Sequence, residues 1–129
     1  MKYQLEAFYE DLDELFLKLN GAQIRQFEMY YELLVEWNSF MNLTAITEFD
    51  EVCKKHFIDS LSLIKAKDEI MSAIGKDPKK DDLSMIDVGT GAGFPGIPLK
   101  ILFPNLIFRS LHLKISLFFP ESLKVLLPI

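Results

Sequence analysis

Apolar residues recur along the first half of the chain at helical spacing. Leu5, Phe8, Leu12, Leu15, Phe16 and Leu19 follow one another at short, helix-like intervals with acids between them, which predicts an amphipathic helix. Asn20-Gly21 reads as its stop signal. A longer pattern follows, with one stripe through Ile24, Phe27, Tyr31, Leu34 and Met41 and a second through Tyr30, Leu33, Trp37 and Phe40. Two adjacent stripes make a wide apolar face, so this helix should be central to a small bundle. In that frame Trp37 is core, and Asn38 is a buried polar spacer. Asn42-Leu43-Thr44 breaks the pattern, and Thr47, with Glu48 and Asp50 behind it, predicts the N-cap of a third helix. Helical signal then runs from Val52 to Ile64 and weakly on to Ile74.

The pattern changes after Gly75. The polar run 75–82 (GKDPKKDD) predicts a linker between a helical subdomain, residues 1–82, and a second unit, residues 83–129. Leu83 to Val88 is a short apolar run closed by glycines, which predicts a buried strand. Pro95 then sits at a first helical position, and Ile97 to Phe103 predicts a helix ending before Pro104. Strand, glycine loop and helix open a βαβ unit, so the fold class is α/β and Rossmann-like, with an incomplete sheet. From Leu106 onward, 14 of 24 residues are apolar, and alternation through Leu111, Leu113, Ile115 and Leu117 predicts a strand. Such a tail is an aggregation hazard for an isolated domain, and could serve as an oligomerising surface.

Charge and cysteine content narrow the classes of function. Residues 1–82 hold 17 acids against 10 bases, whereas residues 83–129 hold two acids against four bases. With a net charge of −5 there is no general electrostatic footprint for nucleic acid, so an RNA partner would be held by local basic patches. Lys54-Lys55 and Lys79-Lys80 are short pairs of the kind that usually sit on solvated surface. Cys53 is the only cysteine, which excludes a disulfide framework or a thiolate cluster; it is expected as an inert, partly buried thiol. The N-terminus lacks the apolar core of a signal peptide and no run is long enough to span a bilayer, so a soluble, cytoplasmic protein is expected.

The chemistry concentrates in Asp87-Val88-Gly89-Thr90-Gly91-Ala92-Gly93-Phe94-Pro95-Gly96. Glycines directly after a strand allow a sharp turn and a close approach of backbone to ligand. The helix that follows offers N–H groups to polar or negative ligand atoms. Two motifs overlap here. Residues 91–96 match the dinucleotide pattern G-x-G-x-x-G, while Asp87 to Gly93 matches the acid-x-G-x-G-x-G loop of methyltransferases. Register favours the second, because the glycine ending the strand is Gly89. Both folds want an acid about 20 residues further on for the ribose hydroxyls. None stands between Asp87 and Glu121.

His56, Asp59 and Ser60 stand at i, i+3 and i+4, which predicts a polar helix face opposite Phe57, Leu61 and Ile64. That face would line a cofactor entrance, orient a substrate, or simply be hydrogen-bonded surface. One His and one Asp make a poor ligand set, so no metal is expected.

Three blocks together resemble one family: Trp37-Asn38 with Asn42-Leu43-Thr44, then His56 to Ser60, then Asp87 to Leu99. It is the bacterial ribosomal small-subunit methyltransferase G family, also called glucose-inhibited division protein B, and the resemblance covers roughly residues 20 to 106. It implies a helical extension before an S-adenosylmethionine-dependent methyltransferase sheet, 16S rRNA as partner, and methylation of a guanine at N7. By that resemblance Gly89 and Phe94 contact S-adenosylmethionine, with Asp87, Gly91 and Gly93 completing the loop; catalytic residues are not identified. The family continues with a second strand ending in Leu-Leu-Asp-Ser, where this chain reads Phe108-Arg109-Ser110-Leu111-His112-Leu113-Lys114. The expectation is a poorly active chain, and a frame shift near codon 106 would produce it; the downstream nucleotide sequence tests this. Two rivals stay open: a non-catalytic binding or oligomerising module, and a nicotinamide-dinucleotide-binding oxidoreductase fragment.

Overall fold

A computed structural model of the chain describes residues 2–77, 84–88, 92–111 and 126–127. Helix α1 spans Glu6–Glu14 and α2 spans Gly21–Met41. A nearly continuous helical arm follows: α3 (Phe49–Val52), a π-helical stretch Cys53–Ile58, α4 (Asp59–Leu61), a 3₁₀ stretch Ser62–Ala66, and α5 (Lys67–Ala73). Strand β1 (Ser84–Val88), helix α6 (Gly96–Leu102) and strand β2 (Ile107–Leu111) complete the described residues. The two strands pair in parallel, Ser84 opposite Ile107 through to Val88 opposite Leu111. Two parallel strands joined through a helix make the βαβ unit that the glycine loop predicts.

The first helix is shorter than its apolar spacing suggests. It ends in a Schellman turn: the Leu17 N–H donates to the Leu12 carbonyl (2.9 Å) and the Phe16 N–H to the Asp13 carbonyl (3.0 Å). The left-handed position falls on Phe16, at φ 57°, whose ring is 96% exposed. Leu17, not Phe16, returns to the core. Asn20-Gly21 is therefore not a stop but a start. The Asn20 side chain accepts from the Gln23 N–H at 2.8 Å, and the Gln23 side chain accepts from the Asn20 N–H at 2.9 Å, a reciprocal capping box. Gly75 ends α5 by the same turn that Phe16 closes, at φ 78°, with the Lys76 N–H bonded to the Met71 carbonyl at 2.8 Å.

On α2 the buried positions are Ile24, Phe27, Tyr30, Leu34 and Trp37, one stripe drawn from both predicted ones. Tyr31, Leu33 and Met41 are partly buried and pack against this core, so of the two predicted stripes only Phe40, 74% exposed, leaves the wide face. Trp37 is core, as its spacing suggests. Tyr31 instead joins Tyr3 and Phe49 in a peripheral aromatic cluster, and its hydroxyl donates to the Thr47 carbonyl at 2.6 Å. The third helix begins after Glu48, so Thr47 is not its N-cap.

The βαβ unit packs onto these helices through α6, whose Gly96, Ile97, Pro98, Leu99 and Ile101 are buried. These join one continuous core with Phe8, Leu12, Phe27, Leu34, Trp37, Phe57 and Leu61. Fully burying each large apolar side chain stabilises the fold by about 1.5–3 kcal/mol before entropy is counted. Gln23 ties the two parts together a second way. While it caps α2, its Nε2 donates to the Ile101 and Leu102 carbonyls at the C-terminal end of α6 (3.1 and 3.3 Å). Strand β2 runs from Ile107 to Leu111 in parallel register with β1 and takes in only the first residue of the predicted alternation. Leu113, Ile115 and Leu117 lie outside the described residues, as does most of the predicted linker.

Candidate functional site

The site forms where the glycine loop leaves the sheet and meets the helical arm. Asp87 lies in β1, opposite Ser110 of β2. Gly89 and Gly91 lie outside the described residues. The loop's second half, Ala92 to Pro95, is held against the helices. Tyr30, buried in the middle of α2, donates its hydroxyl to the Ala92 carbonyl at 2.5 Å. Gly93 sits at φ 93°, a region open to glycine and strained for other residues. A Cβ there would overlap the Ile97 side chain and come within 3.0 Å of the Tyr30 hydroxyl. Packing as well as backbone conformation therefore demands glycine. The Gly93 carbonyl in turn accepts the Ile97 N–H at 2.8 Å, opening α6. That first-turn donor is thus taken by the loop itself and does not face a ligand. The Phe94–Pro95 peptide is cis.

Phe94 is the hub of the site. Its ring stacks on the His56 imidazole, centroids 4.5 Å apart and planes inclined by 16°. Tyr30 and Phe57 approach it at 5.5 and 6.1 Å. With Pro95, Asp59, Ser60, Ser62 and Leu63 it lines an open cleft of about 360 Å³. The polar face foreseen on the arm is thus brought against the loop, with one correction. Ser60 is buried at 5% exposure and donates to the His56 carbonyl at 2.6 Å. It still lines the cleft beside Asp59, so the predicted face survives there as a half-sunken one. Asp59 remains exposed.

His56 is the best-held polar group here. Its Nε2 lies 2.9 Å from the Thr44 hydroxyl. Burial pushes its pKa below the usual imidazole value, with the nearby Asp59 charge working against that. The neutral ring is therefore the favoured form near pH 7, suited to stacking rather than to carrying charge. Thr44 also accepts the Ile46 N–H at 3.1 Å, and its own N–H donates to the Asn38 side chain at 2.8 Å. Asn38 is thus a half-buried brace for the turn after α2, where Asn42 takes the left-handed conformation at φ 51°. The periodicity gave Tyr30 only a core role and left Thr44 in a polar break. Of the two, only Thr44 stood in one of the separate blocks, which meet in space as a chain running Asn38, Thr44, His56, Phe94.

Other candidates resolve as ordinary structure. Cys53 is buried, and burial, followed by the charges of Asp50, Asp11 and Glu28, pushes its thiol up to about 12. Lys54 and Lys55 are exposed, with Lys55 4.0 Å from Glu51 one turn away. Lys79 and Lys80 lie outside the described residues. Among the described residues no group of three His, Cys, Asp or Glu is placed to hold a metal, and no helix is long and apolar enough to cross a membrane.

Comparison with known proteins fits this geometry. The family model for rRNA small subunit methyltransferase G matches residues 23–115, from the capping glutamine of α2 to just past β2. The chain belongs to that family. It is 56% identical over 100 residues to the ribosomal RNA small subunit methyltransferase G of Lachnoclostridium phytofermentans, covering 78% of this chain and 37% of that relative. To the protein of the same name from Streptococcus pyogenes serotype M12 it is 46% identical over 114 residues, covering 86% of this chain and 44% of the relative. The chain therefore spans less than half the length of the curated relatives it matches. The family match sides with the methyltransferase register of the glycine loop over the dinucleotide one.

Proposed function

We propose that residues 83–111, braced by the helical subdomain 1–82, form the donor-binding start of an S-adenosylmethionine-dependent methyltransferase acting on guanine N7 of 16S rRNA in the cytoplasm. The observation that carries this is the clamping of the loop at the carboxyl end of a parallel strand, where α/β folds bind ligands. Phe94 offers a ring to the cleft and Gly93 lets the backbone turn there. These residues fit the methionine end of the donor, with Asp87, Gly89 and Gly91 completing the loop. At the ribose end the fit is poor, because no carboxylate occurs between Asp87 and Glu121.

S-adenosylmethionine, when bound, supplies an electrophilic methyl group that a guanine N7 lone pair takes directly, without loss of a proton. A general base is therefore not required, and the work left to the protein is positioning and exclusion of water. His56, neutral and stacked behind Phe94, suits that role: it supports the ring that lines the cleft and is not called on as a base. Without a ribose anchor the chain binds its donor weakly and turns over poorly.

Calorimetric titration with S-adenosylmethionine and with NAD, beside methyl transfer to small-subunit RNA, tests this. Weak S-adenosylmethionine binding, no NAD binding and transfer near background are expected. NAD binding in place of S-adenosylmethionine would overturn the donor assignment, and rapid transfer would overturn the weak-turnover part.

A further inference from the structure

Phe94 faces the cleft, but what fixes it lies one and two residues further back. Its stacking partner His56 does not line the cleft, and neither does Thr44. An imidazole on a helix turns readily about its outer side-chain torsion, so a near-parallel stack needs something to hold the ring plane. The Thr44 hydroxyl, 2.9 Å from Nε2, is the group placed to do so. Thr44 is itself held at two further points, by the Asn38 side chain on its N–H and by the Ile46 N–H on its hydroxyl. The hydroxyl thus has a fixed position against which the ring is set. Tyr30 and Phe57 press on Phe94 from α2 and the helical arm, at tilted angles of 35° and 50° that do not set the imidazole plane.

We propose that Thr44 is a positioning residue for the donor loop: its hydroxyl fixes the His56 ring plane, and that ring holds Phe94 at the cleft. The inference rests on the donor-loop function proposed above and adds the residue that sets the loop's pose from a distance. Valine preserves the shape of threonine and removes the hydroxyl, while serine keeps the hydroxyl, so Thr44→Val and Thr44→Ser separate the hydrogen bond from packing. Both are made in the full chain, with circular dichroism confirming that each folds.

Two measurements read the effect. In the wild type, the His56 ring protons carry a chemical shift from the face of Phe94, whose size is fixed by its loss in Phe94→Ala. Thr44→Val is expected to move those protons toward the Phe94→Ala position, and Thr44→Ser to leave them near the wild type. By calorimetry, Thr44→Val should weaken S-adenosylmethionine binding about fivefold, the equivalent of one neutral hydrogen bond, with Thr44→Ser close to wild type. Unmoved ring protons in Thr44→Val would overturn the inference, as would moved protons with unchanged affinity. A wild-type chain that takes up no S-adenosylmethionine defeats the donor-loop function instead, and the ring shifts still decide whether Thr44 holds His56.

Discussion

Tyr30 and Ala92 are 62 residues apart in sequence, yet the tyrosine hydroxyl donates directly to the alanine carbonyl, deep in the core. The bond joins the middle of the longest helix to the glycine loop. Tyr30→Phe keeps the ring against Phe57, 5.2 Å away, and leaves the Ala92 carbonyl without this donor. A loss of about 1–2 kcal/mol in stability is expected from chemical denaturation, with S-adenosylmethionine binding weakened beyond what unfolding explains.

Gly93→Ala tests the loop's backbone. The new methyl group would sit at φ 93° and collide with Ile97, so both strain and overlap act in the same direction. The variant should lose at least about 2 kcal/mol, measured by the urea midpoint. Gly75→Ala is the matched control, since no atom lies within 4 Å of its added Cβ and only the strain of φ 78° remains. It should lose less.

At Phe16 the expectation runs against intuition. The ring is almost wholly exposed and the backbone is left-handed, so the residue contributes little packing and carries conformational strain. Phe16→Gly should raise stability by about 0.5–1 kcal/mol, because the relief of strain exceeds the entropy glycine gains in the unfolded chain. A fall in the thermal midpoint would show that the ring makes contacts the turn depends on.

His56 gives a pH dependence with a definite sign. Its folded pKa is lowered chiefly by burial, so the unfolded chain binds the proton more readily. Stability is full above the ordinary imidazole value and falls as the pH drops from there through the lower folded value. Replacement of His56 by Phe should flatten that step. Asp59→Asn removes the charge that favours the imidazolium, so the His56 pKa should fall further, as followed by NMR titration.

Much of the fold was legible because its signals are local. Strand β1, the loop and α6 announce themselves by an apolar run, glycines and a proline, and the parallel partner follows from the βαβ geometry. The errors came where a tertiary contact outweighed a local cue. Phe16 occupies a position that sequence rules reserve for glycine, so the end of α1 was hidden. Asn20-Gly21 carries both stop and start signals, and only the bond from Gln23 decides between them. The shared face of His56, Asp59 and Ser60 was drawn from period alone, and period does not carry the packing that buries Ser60. Within the site, Phe94 and Gly93 were visible in the motif. Tyr30 was not, and Thr44 stood in a resembling block without a role, because a core tyrosine and a loop threonine carry no chemistry until their partners are known.

The central claim is that the helical half holds the loop so that Phe94 receives the methyl donor. Calorimetric titration of S-adenosylmethionine into the wild-type and Phe94→Ala chains tests it most directly. Measurable binding to the wild type, weakened at least about tenfold by the loss of one aromatic contact, is the result expected. Equal affinity of the two chains, or no heat from either, would contradict it.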